Sequence, residues 1–235
     1  MTSIKRDARV AGFIYLLLAL TGPFRLMYIP EKLFVQGNAA ATAANIAAHE
    51  SLFRWGITAD VLVAAINVFV ILALYRLFKR VDNGIALCLL VLGLMATPLY
   101  MATLANNIGA LVVVTGSDVQ STFSAPQRDV LVSMFIHMHG LSVKAAETFW
   151  GLWLLPLATL VFRSGFLPRF LGVWLALNGA AYIVLSMTGL LWPTVGDLLS
   201  NWAFPFLFGE IAFLLWLLVV GARPKVGASE TSMAG

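Results

Sequence analysis

Charge is scarce in this chain of 235 residues: 11% are charged, and there are three histidines and a single cysteine. One cysteine, Cys88, excludes an internal disulfide. Without a second thiol or a suitably spaced histidine it also argues against zinc, and it reads as a small apolar packing residue. Catalytic signatures are missing too. There is no glycine-rich phosphate loop, no Gly-x-Ser-x-Gly elbow and no His-Glu-x-x-His segment, so no motif dictates a reaction and no cofactor is assigned. His137 and His139 would point about 200° apart on one helix, which disfavours a shared metal ion. Ser133, one turn before His137, is ordinary for a membrane helix and does not make a hydrolase.

What fills the chain instead is apolar: 60% of its residues are hydrophobic, in runs too long for a soluble core. Crossing a hydrocarbon layer takes roughly 20 such residues as a helix, because each backbone donor and acceptor must be satisfied within the segment. Six stretches qualify: Val10 to Tyr28, Phe53 to Phe78, Ile85 to Ala105, Val130 to Val161, Phe170 to Trp192 and Ala203 to Gly221. A barrel would alternate apolar and polar positions, whereas Val112 to Val114 and Leu214 to Val220 are unbroken. The expected fold is all-α: a polytopic integral membrane protein with six transmembrane helices in one bundle over residues 1–223. A disordered polar tail is expected over 224–235.

The basic start, Met1 to Arg9, leads through an apolar run into Gly22, Pro23 and Arg25 rather than a small-residue cleavage site, and reads as an uncleaved first helix. Lys5, Arg6, Arg9, Arg76, Lys79, Arg80, Arg163, Arg169, Arg223 and Lys225 fall on one side of the spans, which places both termini in the cytoplasm. This asymmetry explains the formal charge of +4, and no nucleic acid is implied.

Between the first two spans, Asn38 precedes the alanine-rich stretch Ala39 to Ala48, a capped interfacial helix expected to run on into the second span with a bend near Gly56. The third apolar region carries Pro98 and the Asn106-Asn107 pair, and is either tilted and kinked or broken around a cavity. Residues 116–127 read as an exposed loop, and Trp55, Trp192, Trp202 and Tyr28 as interfacial anchors. Arg9-x-x-Gly12 and Arg169-x-x-Gly172 form a faint internal echo at the start of two spans.

An ionisable group inside a span is costly and marks a polar interior. Asp60, His137, Lys144, Glu147 and Glu210 are such groups. His137, Lys144 and Glu147 fall within about 80° of one another on a helix, with Gly140 and Gly151 on the same stripe, and read as one polar face against a close neighbour. Lys144 and Glu147 are spaced to pair. Arg25, Asp60, His139 and Glu210 share a depth near the external side and define a candidate outward-facing pocket, with Arg25 placed to supply a countercharge to Glu210. The leading reading is binding or passage of a small molecule, proton or lipid through that pocket. An accessory or scaffold subunit, packed through Gly93, Gly109, Gly151 and Gly179, is the alternative. An intramembrane enzyme is the third. The partners implied are the lipid bilayer, a lipid or small-molecule ligand, and a membrane-protein partner.

Several stretches carry a family resemblance: His49-Glu50-Ser51-Leu52-Phe53-Arg54-x-Gly56, His139-Gly140, Phe149-x-Gly151-Leu152, and Phe162-Arg163-Ser164-Gly165-x-Leu167-Pro168-Arg169-x-Leu171-Gly172, with Gly209-Glu210 and Leu215-Trp216-Leu217-Leu218 near the end. The chain resembles the bacterial six-helix membrane proteins of domain-of-unknown-function family 4386. The resemblance implies the bundle and the bacterial inner membrane, and assigns no reaction.

Overall fold

The computed structural model describes residues 3–223, so the tail expected over 224–235 lies outside the described residues. Helices follow one another as α1 (Ser3–Leu20), a π-helical turn (Pro23–Tyr28), α2 (Ile29–Leu33), α3 (Ala39–Ala48), α4 (Glu50–Phe78), α5 (Asn83–Thr115), α6 (Ser117–Thr122), α7 (Ala125–Ser164), α8 (Arg169–Leu191), α9 (Pro193–Leu207) and α10 (Gly209–Val219). No strand occurs among the described residues. Five helical runs are long and apolar enough to cross a membrane, and Pro193–Ser200 with Pro205–Val219, bent by 64°, makes a sixth if counted as one span. The protein is an all-α polytopic membrane protein. Exposed Phe13, Phe69, Val91 and Leu215 form part of its lipid-facing surface, and Trp55, Trp192, Trp202 and Tyr28 are exposed as well.

The third apolar region is one continuous helix. α5 runs through Pro98 for 33 residues, about 50 Å at 1.5 Å per residue, and must tilt in or emerge from a layer of about 30 Å. The 40-residue α7 likewise passes through Pro156. It starts before the expected span, at a capping box in which Gln127 Oε1 accepts from the Ser124 backbone at 2.9 Å, and stops where Gly165 adopts φ +67°, a left-handed terminus that glycine takes without strain.

Asn38 caps α3 as its position requires, its Oδ1 accepting from Ala41 N at 2.9 Å. The break before α4 falls at His49 (φ −124°, ψ 40°) rather than near Gly56. Gly56 sits inside a regular helix because Ile29 packs against it: a Cβ there would lie 2.6 Å from Ile29 Cδ1. The expected exposed loop at 116–127 is exposed but contains the single turn and a half of α6.

The last span differs most from expectation. It begins at Pro193, bends between Ser200 and Pro205, and after a local turn at Phe208 runs on as the 11-residue α10. Pro205 has no N–H to give its helix, which weakens α9 just before the turn. α9 packs along α8, while α10 packs against α1 and α8.

Two hydrophobic clusters frame the interior. One gathers Ala11, Leu74, Phe78, Leu157, Leu171 and Phe213, and the other Ile29, Ile46, Phe53, Ala110 and Val132. Along α4 and α5 the buried polar residues Asp60, Thr103 and Asn107 fall in the stretch between them or at its edge. Helices α7 and α8 meet backbone to backbone: a Cβ on Gly151 would lie 2.5 Å from the Gly179 carbonyl oxygen, and one on Gly179 would lie 2.8 Å from that of Gly151. Gly12 and Gly172, the echoed glycines, serve the same purpose, each with backbone of a neighbouring helix within 3.0 Å of where a Cβ would stand.

Candidate functional site

The π-helical turn follows α1 directly, with Pro23 at its first position, and it carries Arg25 into the bundle. Such turns recur at functional positions. The side chains of Arg25 and Asp60 are 9% and 10% exposed. Arg25 Nε donates to Asp60 Oδ1, Arg25 Nη2 donates to the Tyr100 hydroxyl, and that hydroxyl donates to Asp60 Oδ1 at 2.6 Å. The guanidinium carbon also lies 5.4 Å from the centre of the Tyr100 ring. This closed triangle ties the end of the first span to α4 and α5, and each buried charge meets its opposite. Asn67 Nδ2 donates to Thr97 Oγ1 at 3.1 Å, a second polar link between α4 and α5.

Across the bundle, Glu210 stands in the first turn of α10, where the positive end of the helix dipole favours an acid. Gly209 brings that turn close to α8; a Cβ on it would lie 3.1 Å from the Trp174 carbonyl oxygen. The Tyr15 hydroxyl donates to Glu210 Oε2, Asn178 Nδ2 donates to Oε1 at 3.4 Å, and Tyr182 stands beside the same carboxylate. All three partners are neutral, and no ion pair among the described residues includes Glu210.

Arg25 and Glu210 line one cavity of about 290 Å³ enclosed by the first span, α4, α5, α7, α8 and the α9–α10 turn. The rest of its wall is aliphatic, with Val63, Ala64, Ala96 and Leu214 among the lining residues, and carries five aromatic rings: Tyr15, Tyr100, Trp150, Trp153 and Tyr182. Ring centres lie 5.8 Å apart for Tyr100 and Trp150, 6.1 Å for Trp150 and Tyr182, and 6.3 Å for Tyr15 and Trp153. The rings thus form two touching groups. Such packing holds side chains in fixed orientations, so the cavity is built into the fold.

The structure brings Arg25, Asp60 and Glu210 to this region, with Asp60 behind Arg25 rather than in the wall. Arg25 pairs with Asp60, and not with Glu210 as their shared depth implies. His139 does not reach the cavity. Its Nδ1 lies 3.0 Å from the Thr103 carbonyl oxygen, to which only a donor can bond, so Nε2 faces Asn107 Nδ2, at 3.5 Å, as acceptor. Trp150, which does line the cavity, is on nearly the same face of α7 but eleven residues on, about 16 Å along the axis. The length of α7 is what puts His139 at the wrong depth.

The polar face expected on α7 does not act as one unit. His137 is exposed and Gly140 has nothing near it, while Lys144 lies against Gly189 of α8, where an added Cβ would come within 3.0 Å of Nζ. Lys144 and Glu147 form no ion pair. Their coupling in a double-mutant cycle of Lys144→Ala and Glu147→Ala, read by thermal unfolding in detergent, is therefore expected to stay below about 0.5 kcal/mol, the range of a helical i,i+3 pair. A coupling of about 2 kcal/mol would show a direct buried pair instead. Ser186 fastens this region, donating to the Lys144 carbonyl at 2.6 Å and sharing a hydrogen bond with Thr148 at 2.7 Å.

Among the described residues no group of three or more His, Cys, Asp or Glu side chains is gathered to hold a metal ion. The residues that sequence reasoning missed are the tyrosines. Tyr15, Tyr100 and Tyr182 lie in apolar runs, and a buried phenol requires a hydrogen-bond partner, which was the available signal.

Residues 10–221 match the sequence profile described as Domain of unknown function (DUF4386). The chain belongs to the DUF4386 family. No curated protein and no solved structure matches this DUF4386 chain.

Proposed function

We propose that this DUF4386 protein binds a small molecule in the cavity between Arg25 and Glu210, in the outer half of the bacterial cytoplasmic membrane. The distribution of lysine and arginine sets the start of α1 in the cytoplasm, so Gly22 and Arg25, at the far end of the first span, face outward. The observation that carries the reading is Glu210 itself. It is an acid in the wall of a cavity of about 290 Å³, held by hydroxyls and an amide with no countercharge among the described residues. Holding an acid away from water is costly, and a convergent polar group in a largely apolar pocket is the usual mark of a ligand site.

Blocking the space tests this reading. Ala96 is buried and lines the cavity, so Ala96→Phe fills it at the cost of tight packing, about 1–3 kcal/mol. In native mass spectrometry from lipid-retaining nanodiscs, the wild type is expected to carry a bound adduct that folded Ala96→Phe lacks. The same adduct on both proteins would place the ligand elsewhere and overturn the proposal.

A further inference from the structure

Resting on the reading of this cavity as a ligand site, we infer that the group it receives is an organic cation, an alkylammonium or quaternary ammonium. Three observations converge on that chemistry. Arg25, the cation in the wall, already has its charge neutralised by Asp60 and is held by Tyr100, so it is not a free countercharge for an anion. Glu210, the acid in the wall, has neutral partners and no countercharge among the described residues. The apolar surface between them includes five aromatic rings, with Trp150 touching both Tyr100 and Tyr182.

Aromatic faces are negative and attract a cation within about 6 Å of the ring centre, more strongly where water is excluded. An inorganic cation demands several oxygen ligands, which a single carboxylate and a few phenols do not supply. Alkyl groups on nitrogen spread the charge and exchange water for ring surface instead. An anion would meet the Glu210 carboxylate in a largely apolar wall. A volume of about 290 Å³ lies at the lower edge of small-molecule pockets and suits a compact headgroup. Leu26 and Ile211, which line the cavity and are themselves exposed, leave it open at its rim. The same chemistry occurs on a free amine and on the ethanolamine headgroup of a phospholipid.

The test compares benzyltrimethylammonium with its uncharged isostere neopentylbenzene and the anion 4-tert-butylbenzoate, titrated into the full chain in dodecylmaltoside micelles by isothermal calorimetry. The wild type is expected to bind the cation at least tenfold more tightly than the isostere and to bind the anion not at all. Glu210→Gln is expected to lose that preference. Trp150→Leu, which leaves the acid in place, is expected to weaken the cation at least fivefold, and keeps the test available if the Glu210 variant does not fold. Equal affinity for cation and isostere, or no binding of the cation, overturns the assignment. The cavity reading itself falls only if Ala96→Phe also retains the wild-type adduct. Displacement of the probe by phosphatidylethanolamine but not phosphatidylglycerol identifies the headgroup as the source, and displacement by neither identifies a free amine.

Discussion

Asp60→Ala is expected to cost about 3–5 kcal/mol of stability, the range for removing one partner of a buried ion pair. The loss is large because Arg25 stays behind. Its side chain is 9% exposed, and with Asp60 gone it keeps a single hydrogen-bond partner, the Tyr100 hydroxyl, which itself loses its acceptor. An uncompensated guanidinium in a bilayer interior is among the least tolerable arrangements in a membrane protein. The paired substitution Arg25→Leu with Asp60→Leu removes both charges, and buried pairs exchanged for apolar residues are often neutral or stabilising. The double variant is therefore expected to unfold well above Asp60→Ala, near the wild type, in far-UV circular dichroism melts in detergent. A double variant as unstable as the single one would show that the triangle contributes more than mutual neutralisation.

Gly151→Leu is the second large effect, and it acts through backbone rather than charge. The position where its Cβ would stand is 2.5 Å from the Gly179 carbonyl oxygen and 3.1 Å from the Ile183 backbone nitrogen, atoms that cannot rotate aside. Inserted bulk costs about 1–3 kcal/mol even in cores that can adjust, and here α7 and α8 must separate. Trp150 and Trp153 on one helix and Tyr182 on the other form part of the cavity wall, so the loss extends to ligand binding. Gly151→Leu is expected to yield little monodisperse protein in size-exclusion chromatography. Gly140→Leu on the same helix, with nothing within 4 Å of the new atom, is expected to melt within a degree or two of wild type. Similar behaviour of the two variants would contradict the close α7–α8 approach.

Much of the architecture is legible in the sequence because the bilayer restricts the choices. Unbroken apolar runs read as helices, Asn38 reads as a cap, and Arg25, Asp60 and Glu210 stand out as ionisable groups in apolar surroundings. Lateral arrangement is not legible, since the side of a helix that meets a given neighbour depends on all the others. Depth alone offered Arg25 to Glu210, yet packing of the first span against α4 gives it to Asp60. His139 and Trp150 differ by only about 20° around α7, and the axial distance that separates their roles depends on how that helix sits among the rest. The bend between Ser200 and Pro205 is hidden because the residues around Pro205 are as apolar as an unbroken span.

A ligand site between Arg25 and Glu210 requires that the space between them be occupied. A cryo-electron microscopy map of the protein in nanodiscs made from its own membrane, with a bound antibody fragment to aid alignment, addresses this directly. Discrete density is expected beside Glu210, in contact with Trp150 and Tyr182, inside a cavity bounded by the Arg25–Asp60–Tyr100 triangle. A closed interior, with Glu210 satisfied by Tyr15, Asn178 and Tyr182 and the rings packed into the space, would contradict it.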